Sequence, residues 1–142
     1  YDWVLGPGDV DGDGRADVLA GVPGEDRNGR REMGAIMLFR GSSAGLTGTG
    51  SQYLDQNSSG VPSTAEAGDQ FGDTVSLLER SGDRRLDAMI GTQYENRDAM
   101  WPSGTGTWLK ATNSGLVAYG FLDSADLSTP FPLSNLGYSI VE

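Results

Sequence analysis

Four aspartates crowd one short stretch of this chain. In Asp9-Val10-Asp11-Gly12-Asp13-Gly14-Arg15-Ala16-Asp17 they fall at loop positions 1, 3, 5 and 9. Carboxylates this close repel one another unless a cation neutralises them. Calcium takes six to eight oxygens at about 2.3–2.6 Å, and alternate carboxylates on a tightly curled loop supply them. Gly12 and Gly14 permit the sharp turns that aim those groups inward. The Arg15 carbonyl, at position 7, is the expected further ligand. An EF-hand would need glutamate at position 12, where this chain has Ala20, and a helix on each side. A strand-like segment follows instead, so the loop reads as a hairpin connection between two strands, closed by Asp17. Magnesium prefers several waters to an all-protein cage and fits less well. A metal-free acidic turn is the bland alternative, disfavoured by the regular interleaving of aspartate with glycine.

The elements that must hold this loop are short apolar runs bounded by glycine, aspartate, asparagine and proline. They are Val18-Leu19-Ala20, Ala35 to Phe39, Thr74 to Leu78, Ala88-Met89-Ile90, Thr107-Trp108-Leu109, Leu116 to Leu122 and Tyr138 to Val141. None reaches helical length or shows a 3.6-residue period, and the chain reads as all-β. Twenty-two glycines agree, since each weakens a helix interior by about 1 kcal/mol.

Internal repetition organises these runs. Asp13-Gly14-Arg15-Ala16-Asp17-Val18-Leu19-Ala20-Gly21 aligns with Asp83-Arg84-Arg85-Leu86-Asp87-Ala88-Met89-Ile90-Gly91. Gly34 to Leu38 aligns with Gly106 to Lys110, the Ser43-Ala44-Gly45-Leu46 turn with Asn113-Ser114-Gly115-Leu116, and Phe71-Gly72 with Leu136-Gly137. Tyr1-Asp2-Trp3-Val4 fits the strand that would follow such an aromatic-glycine pair. The organisation expected is a four-strand unit over residues 1–70, a second, divergent one over 71–135, and the first strand of a third over 136–142. Repeated four-stranded antiparallel units point to propeller blades, and two cannot close a ring. A self-contained two-repeat sandwich is the competing arrangement. In the second repeat the acidic loop becomes Glu79-Arg80-Ser81-Gly82-Asp83-Arg84-Arg85-Leu86-Asp87. It keeps two aspartates amid three arginines, one of which can stand electrostatically for a metal. No calcium is expected there.

Composition removes several functions. Ten basic against twenty acidic residues give a formal charge of −10, which repels nucleic-acid phosphates and anionic membranes. Without cysteine there are no disulfides or thiol catalysis, and without histidine no Ser-His-Asp triad. No stretch has the roughly 18 apolar residues of a membrane span. The chain begins at Tyr1 without a signal-like segment and reads as a processed or excised piece.

With these residues in place, the chain resembles the FG-GAP repeats of the integrin α-subunit propeller and of many bacterial secreted proteins. That motif runs Phe-Gly, a strand, a D-x-D-x-D-G-x-x-D loop, a second strand, then Gly-Ala-Pro. Phe71-Gly72 supplies its opening and Leu136-Gly137 a weakened copy; Gly21-Val22-Pro23 stands at the Gly-Ala-Pro place, where Gly91-Thr92-Gln93 departs from it. The resemblance implies a seven-bladed β-propeller with structural calcium on Asp9, Asp11, Asp13, the Arg15 carbonyl and Asp17. It also implies ligand recognition by variable loops on the opposite face.

The resulting expectation is an extracellular, non-catalytic scaffold for binding or adhesion, with a protein or glycan partner and further blades in the same or another chain. Two alternatives stay open. One is part of a secreted polysaccharide-degrading or peptide-modifying enzyme whose active site lies elsewhere. The other is an oligomeric lectin-like ring of two-blade chains. Trp3, Trp101, Trp108, Tyr53, Tyr94 and Tyr119 are candidate sugar platforms, though inter-blade packing is the commoner use of such aromatics. The charged loop Gly24 to Arg31 is a candidate contact, more simply a solvated loop, and Asn57-Ser58-Ser59 is a glycosylation sequon.

Overall fold

The computed structural model describes residues 4–95 and 104–123, and no helix occurs among them. The strand expected at 136–142, its Leu136-Gly137 pair, and Trp3 and Trp101 lie outside the described residues. Eight strands follow in order: β1 (Val4–Gly8), β2 (Asp17–Val22), β3 (Ala35–Ser42), β4 (Gly45–Leu54), β5 (Phe71–Leu78), β6 (Asp87–Thr92), β7 (Thr105–Thr112) and β8 (Gly115–Leu122). They form two four-stranded antiparallel meanders, ordered β1-β2-β3-β4 and β5-β6-β7-β8. This all-β arrangement is consistent with two successive propeller blades.

β4 is a strand that apolar runs do not reveal. Its sequence, Gly45-Leu46-Thr47-Gly48-Thr49-Gly50-Ser51-Gln52-Tyr53-Leu54, lies mostly exposed at a sheet edge, so nothing selects for a hydrophobic alternation. The structure also corrects one alignment. β3 and β7 begin at Ala35 and Thr105, so the counterpart of Gly34 is Gly104, not Gly106. Gly34 and Gly104 share a left-handed backbone, with φ of 80° and 64°. The shift between repeats is thus a uniform 70 residues across β2/β6, β3/β7 and both closing hairpins. Those hairpins match in detail: Ser42 Oγ donates to the Gly45 carbonyl at 2.7 Å and Thr112 Oγ1 to the Gly115 carbonyl at 2.8 Å.

The two sheets share one core. Leu19, Ile36 and Leu38 from the first pack with Phe71, Val75, Ala88, Ile90, Leu109, Ala111 and Leu116 from the second. Register explains the choice of side: Leu19 pairs with Leu38, and Ala88 with Leu109, so each pair projects from one face of its sheet. Phe71 is fully buried in this seam, and a parallel bridge ties its backbone to Gly34.

The Phe-Gly and Gly-Val-Pro elements have a direct physical reason here. Gly72 has φ of 86°, and a methyl group on it would overlap the Ala35 carbonyl of the neighbouring sheet. A methyl on Gly21 would in turn overlap the Gly72 carbonyl. Glycine at both places lets the two backbones approach. Gly72→Ala is therefore expected to destabilise the fold by at least about 2 kcal/mol in denaturant titration. Gly48→Ala, where a methyl meets nothing within 4 Å, should stay within about 0.5 kcal/mol of the parent.

Candidate metal centre

The loop between β1 and β2 is folded by its own aspartates. Asp9 accepts from Gly12 N–H at 2.7 Å and from Gly14 N–H at 2.9 Å, one bond to each carboxylate oxygen. Asp11 Oδ1 accepts from Asp13 N–H at 3.1 Å, and Asp13 Oδ1 from Arg15 N–H at 2.8 Å. Such side-chain-to-backbone bonds curl the chain in successive tight turns. Gly12 and Gly14 take φ of 81° and 83° to allow it.

Asp17 anchors this loop to the sheet. It is 1% exposed, accepts from Gly41 N–H on β3 at 2.8 Å and from Val10 N–H at 3.0 Å. Asp9, Asp11 and Asp17 then converge, with one carboxylate oxygen from each lying within 4.8 Å of the others. Asp13 stands apart. Its carboxylate is turned onto the Arg15 guanidinium at 3.0 Å, in solvent. The Arg15 N–H above all, aided by the guanidinium groups of Arg15 and Arg40, holds the Asp13 carboxyl below the usual range.

The donor set is all oxygen and strongly anionic, which fits a hard divalent cation such as calcium. The molecule itself demonstrates the demand for positive charge at this spot. Arg40 Nη1 lies 3.3 Å from Asp11 Oδ2 and 3.4 Å from Asp17 Oδ2. Its side chain is 10% exposed, and its Nε donates to the Gly50 carbonyl at 3.3 Å. Sequence reasoning passed over Arg40. The signal available was the uniform 70-residue shift, which places a second cation, Lys110, at the same strand position.

The second loop keeps the fold of the first without its charge cluster. Gly82 and Arg84 have φ of 75° and 69°, matching Gly12 and Gly14. Asp87 accepts from Ala111 N–H at 2.8 Å, as Asp17 does from Gly41. Arg85 Nη1 pairs with Asp83 at 3.4 Å, as Arg15 pairs with Asp13 in the first loop. Arg85 reaches further. Its Nε donates to the Asp11 carbonyl at 3.2 Å, its Nη2 bonds Asn113, and Leu86 N–H donates to the Asp9 carbonyl at 2.9 Å. The backbone of the acidic loop is thereby gripped by the next sheet. Beside it, the Gln52 amide makes a backbone-like pair of bonds to Leu116, at 2.7 and 2.8 Å.

Other sequence candidates find structural partners. Arg27 of the charged loop lies over the Tyr53 ring at 4.8 Å and pairs with Asp55 at 3.6 Å. Arg80 covers Trp108 at 5.0 Å and Tyr119 at 5.3 Å. Asn57, in the sequon, is exposed, and its Oδ1 accepts from Ala65 N–H at 3.3 Å.

At the end of the sheets away from the acidic loop, the segment linking β4 to β5 buries a second polar group. Glu95 accepts from Ser63 Oγ at 2.8 Å and from the Gln56 amide. Nearby Asp69 is 1% exposed and accepts from Glu66 N–H at 2.6 Å. Burial first, then the charges of Glu95 and Glu66, push the Asp69 carboxyl up to about 6. An acid with a raised folded-state pKa stabilises the fold below its unfolded value, and that contribution is lost as pH rises through about 6. Asp69→Asn keeps an acceptor for Glu66 N–H and removes the charge. It should raise stability at pH 7.5 by about 1–2 kcal/mol and leave it unchanged near pH 4, read by denaturant titration in chelator.

Comparison with known proteins fits this geometry. Phosphatidylinositol-glycan-specific phospholipase D from Mus musculus and its namesake from Rattus norvegicus are each 28% identical to this chain over 89 residues. The alignment covers 63% of this chain and 10% of each relative, so the chain spans about a tenth of the length of the curated relatives it matches. The Bos taurus enzyme of that name shows the same identity and coverage. Residues 2–36, which hold β1, the acidic loop, β2 and the first residues of β3, match the FG-GAP repeat family.

Proposed function

We propose that this chain is a calcium-stabilised segment of an extracellular β-propeller, acting as a non-catalytic scaffold for binding or adhesion. The observation that carries the reading is the convergence of Asp9, Asp11 and Asp17 in a loop whose carbonyls are gripped by the adjoining sheet. A cation held there braces one blade and its seam with the next. Asp9, Asp11 and Asp17 form the core of the ligand set. Asp13 joins by releasing Arg15, and the Arg15 carbonyl completes the protein ligands. Bound calcium supplies the positive charge that the crowded carboxylates require and performs no turnover.

Residues 1–70 and 71–135 are the two blades in this reading, and 136–142 opens a third. The face that the first sheet buries against the second supports a continuing array. Leu19 and Leu38 there are 0% and 1% exposed. Their counterparts 70 residues on, Met89 and Trp108, lie on the outer face of the second sheet, opposite Ala88 and Leu109. Met89 is already only 7% exposed, and a further blade would cover what Trp108 leaves open, as the second sheet covers the first. Seven blades is the count that FG-GAP propellers imply, and a protein or glycan would bind the loops opposite the metal. A second reading draws on the relatives: the same segment could serve as scaffold within a secreted enzyme whose active site lies elsewhere. A lectin-like ring of two-blade chains is the third.

Two measurements test these readings. Calcium at ten times its dissociation constant should stabilise the fold by about 1.4 kcal/mol, and a chelator should remove the gain. Asp11→Asn should abolish that response in thermal unfolding; an unchanged melting temperature with and without calcium would refute the metal site. Light scattering reports whether the chain assembles. A mass near the single-chain 15.0 kDa excludes the ring of two-blade chains, whereas a closed oligomer supports it.

A further inference from the structure

We propose that Arg40 is a built-in competitor for the cation, resting on the calcium reading above. Its Nη1 already holds Asp11 Oδ2 at 3.3 Å and Asp17 Oδ2 at 3.4 Å, on two of the three carboxylates that a divalent metal would need. Backbone N–H groups reach five of the trio's six carboxylate oxygens: both of Asp9, Oδ1 of Asp11 and both of Asp17, whose Oδ2 accepts from Val10 N–H at 3.0 Å beside Arg40. Asp11 Oδ2 is left to Arg40 alone, and Asp17 Oδ2 is shared between Arg40 and the loop's own Val10 N–H, so the arginine is the charged group that reaches the trio.

Arg40 is suited to this by its position. It projects from β3 into the seam, is 8% exposed, and cannot drift into solvent as a surface lysine would. Its Nε stays on the Gly50 carbonyl of β4, and a side chain added at Gly115 of the next sheet would run into Arg40 Nη2 and Gln52. The cation is thus tethered beside the carboxylates whether or not a metal is present. Without metal it keeps the loop from flying apart. With metal, its charge opposes the incoming ion across a few ångströms of poorly solvated space, where such repulsion is strong. The loop accordingly holds its shape over a wide range of calcium concentration, at reduced affinity.

The experiment is calorimetric titration of calcium into the wild-type chain, Arg40→Lys, Arg40→Met and Arg40→Gln, with thermal unfolding of each in chelator. Arg40→Gln retains a donor for the Gly50 carbonyl and guards against loss of fold in Arg40→Met. Both neutral variants should melt lower than wild type in chelator, yet bind calcium about tenfold tighter or more. Arg40→Lys, which keeps the charge, should bind close to wild type. A merely structural arginine would lower stability and weaken or leave unchanged the affinity, and that result overturns the proposal while leaving the calcium reading intact. No heat of binding in any of the four proteins overturns both.

Discussion

Everything in the first repeat is arranged around the mutual repulsion of three carboxylates gathered in a half-buried loop. Folding brings Asp9, Asp11 and Asp17 together because β1 pairs with β2 and the loop between Gly8 and Asp17 curls on its own aspartates. Backbone N–H groups from Gly12, Gly14, Val10 and Gly41 absorb part of the negative charge, and Arg40 absorbs more. Because Asp17 also fastens the loop to β3, the electrostatics of the loop and the pairing of the sheet cannot be separated. The second repeat meets the same constraint differently. With Ser81 in place of Asp11, less charge accumulates, and Glu79 and Asp87 accept from the Gly82 and Ala111 N–H groups while Arg85 pairs with Asp83.

The seam between the sheets depends on backbone proximity as much as on apolar area. Gly21, Gly34 and Gly72 let carbonyls from opposite sheets lie where side chains would otherwise keep them apart. Phe71 fills the space beside them. Arg85 and Leu86 then reach across to the carbonyls of Asp11 and Asp9, so the acidic loop is supported from behind by the neighbouring sheet. Loop, glycine contacts and core are parts of one interface, and a change at any of them is felt along its length.

Much of this was legible in the sequence because its cause is local. Aspartate-glycine alternation dictates a curled loop, and apolar runs between turn residues mark strands such as Ala35 to Phe39. The Phe71-Gly72 and Gly21-Val22-Pro23 elements mark the close approach. What escaped depends on pairing across distance. β4 lacks an apolar alternation because it lies at an edge. Arg40 reads as an ordinary charge ending a strand until β2 is placed beside β3. The match of Gly34 to Gly106 followed apolar similarity, whereas the backbone equivalence with Gly104 is set by φ. Asp69 and Glu95 sit in unpatterned linkers, and only the closure of one linker over the other buries them.

The uniform 70-residue shift gives the contact between the sheets a direction. The surface that β2 and β3 offer is not the surface that β5 and β6 present back to it. Such a heterologous, head-to-tail contact never satisfies itself in a symmetric pair. Each added unit regenerates the same open end, so the array closes when its rotations sum to a full turn and otherwise continues as a filament. Arg80, laid across Trp108 and Tyr119, is what lies over those two rings in the single chain, and any unit stacked there would have to displace or accommodate its charge.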